Sequence, residues 1–172
     1  MEELLATSCG KLLAARRQRE PPGRDDKLLT AWNGLAITAL AEGYSIFQDD
    51  RYLKAAVKAA TFLQNNMVAD SGRLLRSWRD GRSGPTAFLD DYACLAEGML
   101  TLYEASGMVW HLEWALALGE ELLVLFRAED GGLWASGSDQ EQLYFRHREP
   151  LDGATPSPSG VAAQVLVRLG WH

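Results

Sequence analysis

The chain has 172 residues, 47% hydrophobic and 23% charged, a composition that suits one packed core and argues against disorder. Seventeen Lys and Arg against twenty-three Asp and Glu give a formal charge of −6, so the overall field opposes attraction of nucleic acid or an anionic membrane. No apolar run approaches the roughly 18 residues of a membrane-spanning helix, and Met1-Glu2-Glu3 is acidic where a secretory leader would be basic, so a cytosolic protein is expected.

In chain order, Leu5, Cys9, Leu12, Leu13 and Arg16 have helical spacing, and Pro21-Pro22-Gly23 ends that helix. From Thr30, read as an N-cap, the run from Trp32 to Tyr44 is apolar almost all round and predicts an interior helix. Asp50 is expected to cap a third helix whose stripe Leu53, Ala56, Val57, Ala60, Leu63 and Met67 opposes a charged face, so this one is peripheral. The order then repeats: an all-round apolar helix from about Phe88 to Glu104 and an outer helix from about Trp110 to Phe126. Ser157-Pro158 opens a last apolar helix over Val161 to Leu169. Six helices in outer–inner order make three helical hairpins and predict an all-α fold, an (α/α) solenoid or a partial (α/α) toroid, with Asn33, Asp91 and Ser159 opening the three inner helices. Gly34, Gly43 and Gly98 inside helices predict close backbone packing. Two short β-hairpin connections are expected, around Asp80-Gly81 and around Gly137-Ser138-Asp139, the latter flanked by Leu133 to Ala135 and Leu143 to Arg146. If the inner helices share one polarity, these connections and the inner N-termini gather at one end, where a site is expected.

Carboxylates are the first candidates for chemistry. Asp26 precedes the first inner helix, Asp90 and Asp91 open the second, and Asp152 precedes the third, so these four are the candidate acid/base groups. Capping a helix is the commoner role for an aspartate so placed, and since consecutive helical residues point about 100° apart, Asp90 and Asp91 cannot both face the axis. Trp32, Asn33, Arg76, Trp78, Tyr92 and Ser157 are the candidate substrate contacts, because an aromatic plate beside a bidentate donor suits a sugar's apolar faces and hydroxyl rim. Arg76 and Trp78 are expected to share one strand face, and Tyr144 and Arg146 another; Trp134 is placed as well as Trp78, while Trp110 and Trp114 belong to the core. Arg73, Arg76, Arg79 and Arg82 are read as an ion-paired or solvated hairpin rather than an RNA contact. His111, His147 and His172 lie off the inner helices, so no histidine pair across a central cavity is expected. Cys9 and Cys94 fit no metal spacing and read as buried thiols; no metal site, nucleotide loop or other cofactor motif is present.

The strings Pro21 to Leu35 (PPGRDDKLLTAWNGL), Gly84 to Ala93 (GPTAFLDDYA) and Asp152 to Ser157 (DGATPS) resemble the C-terminal region of the spermatogenesis-associated, thioredoxin-domain-containing protein family. The family's last motif continues Ser-Gly-Asn-Ser, where this chain has Ser157-Pro158-Ser159-Gly160. The resemblance implies a toroid of the six-hairpin glycosidase type, similar to the N-acylglucosamine 2-epimerase fold, of which these residues form a part, with a thioredoxin-like domain elsewhere in longer members. The expected function is a carbohydrate-processing or carbohydrate-binding toroid fragment with glycosidase-like acid/base chemistry on a sugar-like small molecule. The alternative is a non-catalytic helical scaffold associated with a thioredoxin-like domain. Open edges rich in Leu, Val and Ala further predict a homo-oligomer that closes the ring, with neither nucleic acid nor membrane as partner.

Overall fold

The computed structural model describes residues 2–141 and 144–172. Six helices follow one another as α1 (Glu2–Arg17), α2 (Thr30–Phe47), α3 (Asp50–Asn66), α4 (Leu89–Ser106), α5 (Val109–Phe126) and α6 (Pro158–Leu169). Helix α4 is the centre of the fold: twelve of its residues are buried, and it packs against α2 on one side, α6 on the other and α5 behind. Helix α3 covers α2, and α5 reaches α6. The result is a curved slice of an (α/α) toroid, in which an inner row α2–α4–α6 is backed by the outer helices α3 and α5.

Two glycines set the closest inner contact. A Cβ on Gly34 would lie 2.5 Å from the Cys94 carbonyl carbon, and one on Gly98 would lie 2.7 Å from Gly34 O, so α2 and α4 touch backbone to backbone. Gly43 makes no such approach and faces only the Tyr52 ring at 3.6 Å. The inner row is parallel: Ala31 meets Asp91 at one end, while Ser45, Thr101 and Arg168 line a common cavity toward the other.

Three expectations about helices are corrected. Helix α1 buries none of its residues and exposes Leu4, Leu5, Leu12 and Leu13, so the first outer helix is not seated on α2, and Cys9 is exposed whereas Cys94 is buried. Helix α2 is not interior. It buries Thr30, Ala31, Gly34, Ile37 and Ala41 and leaves Trp32, Ile46 and Phe47 in solvent, because it forms the edge of the arc and has an inner neighbour only on the α4 side. The cap of α3 is Asp49, one residue before Asp50, and its carboxylate accepts from Arg51 N at 2.9 Å.

The first connection forms the expected hairpin. Strands β2 (Ser77–Arg79) and β3 (Arg82–Ser83) pair antiparallel across Asp80-Gly81, both at positive φ, as a two-residue turn of this kind requires. Strand β1 (Leu28–Leu29) pairs with β2 on its other edge and so draws the entry to α2 against this connection. The second connection departs from expectation. Its described residues hold an isolated Arg127↔Leu133 bridge and a turn at Gly131, and no hairpin centres on Gly137-Ser138-Asp139. Asp139 is instead engaged by Arg73 at 2.8 Å. Leu143, expected in that hairpin, lies outside the described residues.

A cleft at the inner-helix N-termini

The starts of α2, α4 and α6 lie at one end, and Asp91 does most of the joining. Its Oδ1 accepts from Ala31 N at 3.0 Å, so the first turn of α2 is capped by a residue 60 positions away. Its Oδ2 accepts from Phe88 N at 3.0 Å and from Arg76 Nη1 at 2.8 Å. Thr30, predicted as a cap, is instead the first residue of α2, and its hydroxyl donates to Leu75 O. Burial pushes the Asp91 carboxyl up to about 6, with Asp90 adding to the rise and the Phe88 amide, Arg76 and the Ala31 amide opposing it.

Asp90 points elsewhere. Its carboxylate is 30% exposed, accepts from the same Arg76 Nη1 at 2.8 Å and lines an open cleft of about 340 Å³. Arg76, Phe88, Leu89, Ala135, His147, Glu149 and Pro158 complete the lining, so α4, α6 and both connections contribute. The Arg76 guanidinium lies over the Phe88 ring, 5.0 Å from its centroid. The cleft therefore offers a carboxylate, a guanidinium, an aromatic ring and a His–Glu pair, with His147 Nε2 2.9 Å from Glu149 Oε1.

The structure thus brings Arg76, Asp90 and, behind them, Asp91 together, and it sends the other predicted residues elsewhere. Asp26 is exposed and pairs with Arg24 at 3.5 Å and Arg79 at 3.9 Å. Asp152 accepts from Ser157 N at 2.8 Å, while Ser157 caps α6 by accepting from Gly160 N. Trp32 is 63% exposed on the open edge of α2, and the Asn33 amide donates back to Leu29 O at 2.8 Å. Trp78 does not share a plate with Arg76: it packs edge-on against Phe62 of α3, so Phe88 is the ring beside the guanidinium. Tyr92 faces the outer layer, where its hydroxyl donates to Glu121 Oε2 at 2.7 Å and accepts from Arg73 Nη1 at 2.7 Å and Leu74 N at 3.2 Å. That burial pushes the Tyr92 phenol up to about 12. Tyr144 and Arg146 form no common face either, since Tyr144 is exposed and Arg146 donates to Ser136 O. Trp134 lies under Arg148, 4.3 Å from its guanidinium, rather than in the cleft.

Of the basic run, Arg73, Arg76 and Arg79 each face aspartates. Trp110 and Trp114 pack on the core. His147, Glu149 and Phe88 are cleft residues that the sequence reading missed. Phe88 adjoins the Asp90-Asp91 pair and was legible from position alone, but nothing in the spacing of His147 places a loop residue beside α4. Among the described residues, no group of three or more His, Cys, Asp or Glu is arranged to hold a metal ion, and no helix is long and apolar enough to cross a membrane.

Parallel inner helices opening on a polar cleft define an (α/α)-toroid slice, and solved toroid structures match it. A sugar epimerase from a ruminal bacterium superposes with a TM-score of 0.65 at 16% identity, over 87% of this chain and 39% of that one. An inactive α-1,6-mannanase variant from Salegentibacter sp., with two adjacent aspartates replaced by alanine and α-1,6-mannotetrose bound, gives 0.57 at 19% identity over 84% and 39%. No protein-family model matches the chain. By sequence it is 37% identical to human spermatogenesis-associated protein 20 over 177 aligned residues, which cover 96% of this chain. Over 96% of its length the chain is a homologue of spermatogenesis-associated protein 20, and it spans 22% of the length of that relative.

Proposed function

We propose that the cleft at the inner-helix N-termini binds a carbohydrate and that Asp90 carries glycosidase-like acid/base chemistry there. One observation carries this reading: of the adjacent aspartates, Asp90 opens onto the cleft while Asp91 is buried as a structural anchor. Phe88, Leu89 and Pro158 offer apolar surface to a sugar ring, and Arg76, Asp90, His147 and Glu149 offer partners to its hydroxyls. Further support comes from the toroid neighbours, which include a sugar epimerase and a mannanase whose inactive variant lacks an adjacent aspartate pair. Glycan-array binding and hydrolysis of aryl glycosides by the folded chain test the reading. Asp90→Asn is expected to lower turnover by about 100-fold or more with the fold intact, and uniform absence of binding and turnover in the parent would remove the proposal.

The second reading, a helical scaffold that docks a partner such as a thioredoxin-like domain, is favoured by the wholly exposed helix α1 and its four leucines. Calorimetric titration of the chain with a separately produced thioredoxin-like domain tests it, and the heat of binding should vanish when those leucines become serine.

A further inference from the structure

The connection between α5 and α6 contributes His147 and Glu149 to the cleft, and their backbones are held from both sides. Leu89 N donates to Ala135 O at 3.0 Å and Ala135 N donates to His147 O at 2.9 Å, which ties His147 through one short segment to the residue beside Asp90. Ser157 Oγ donates to Glu149 O at 2.8 Å, which ties Glu149 to the cap of α6. Between them, Arg148 stacks on Trp134 and makes two hydrogen bonds of 2.9 Å to Asp130. The alternate side chains of this pinned segment meet each other and line the same cleft as Asp90 and Arg76.

Glycoside cleavage needs a proton given as well as a proton taken. Asp90 Oδ1 accepts from the Arg76 guanidinium, and a carboxylate so engaged is an acceptor rather than a donor. Lining the same cleft is an imidazole, that of His147, whose Nε2 is 2.9 Å from the Glu149 carboxylate. A proton held in that pairing sits on Nε2, and Nδ1 carries the second N–H when the ring is protonated. We propose that His147, oriented by Glu149, is the proton donor of the cleft and Asp90 the proton acceptor.

This assignment rests on the glycosidase-like reading of the cleft. In the step, the Nδ1 proton passes to the glycosidic oxygen as its bond to the anomeric carbon breaks. A water oxygen bonds to that carbon, and the proton it releases goes to Asp90; exchange with solvent restores both groups. The titratable and charged groups that line the cleft with His147 are Glu149 on its own segment, Asp90 on α4 and Arg76 on the connection before α4.

The test compares phenyl and 2,4-dinitrophenyl glycosides, because a poor leaving group needs protonation and a good one does not. His147→Gln is expected to slow the phenyl substrates by about 100-fold or more, and by at least about tenfold more than the dinitrophenyl substrates. Equal losses on both substrates, or none, would overturn the role of His147 and leave that of Asp90 standing, whereas no turnover by the unaltered chain would end both. Glu149→Gln supplies a readout independent of turnover: the nitrogen-15 shifts of His147 should report a lost Nε2–H preference. Unchanged shifts would sink the positioning role of Glu149. Both side chains are about half exposed, so these substitutions leave the core untouched.

Discussion

Asp91 accepts three hydrogen bonds from three separate stretches of chain, and its carboxylate is 1% exposed. Removing it strands two backbone amides and takes from the Arg76 guanidinium one of its two carboxylate partners, so Asp91→Ala should cost about 3–5 kcal/mol in urea unfolding, more than the loss of an ordinary cap. Its pH dependence has a definite sign. The folded carboxyl titrates at about 6 against an ordinary 3.8, so between about pH 4 and 6 the native state holds a proton that the unfolded chain has released. Stability from this group is full below about pH 4 and declines as pH rises toward 6. The stability gap between the parent and Asp91→Asn should therefore shrink over that interval, by on the order of 2–3 kcal/mol, and stay level above it. A gap that widened with pH would contradict the burial-driven shift. Asp139 has the opposite behaviour, since the Arg73 hydrogen bond holds its carboxyl below the usual range and its contribution is lost only in acid.

At the scale of elements, α2 and α4 are joined by a contact that tolerates no side chain at its centre. Gly34→Ala should lose about 1–3 kcal/mol, because the new methyl group meets backbone and forces the helices apart. Gly43→Ala in the same helix meets only a ring at ordinary contact distance and should gain up to about 1 kcal/mol from helix propensity. Thermal unfolding of the pair would expose an error through matching signs. Alternation of apolar and charged faces made α3 and α5 legible as outer helices and α4 as the buried one. The same reading failed for α2, whose apolar circumference is covered chiefly on its α3 and α4 sides.

For the whole molecule, three inner helices backed by two outer ones leave the free edge of α2 and all of α1 uncovered. Trp32, Ile46, Phe47 and the α1 leucines together present more apolar surface than isolated exposed residues would. A second copy that pairs these edges is expected, and light scattering should find a species heavier than the 19.0 kDa chain. A monodisperse monomer would contradict this. This chain matches about two-fifths of each of these toroid neighbours.

Helix periodicity, the Ser157-Pro158 cap and the Asp80-Gly81 turn are local signals, so the order of the helices, the stacking of helix pairs and the end at which polar residues collect were readable in the sequence alone. Which aspartate faces the cleft was not, because Asp90 and Asp91 differ only by a rotation about α4 that packing against α2 resolves. The placement of His147 beside Asp90 was equally hidden: it depends on hydrogen bonds through Ala135 between segments dozens of residues apart, and no spacing along one chain encodes a contact that only folding brings together.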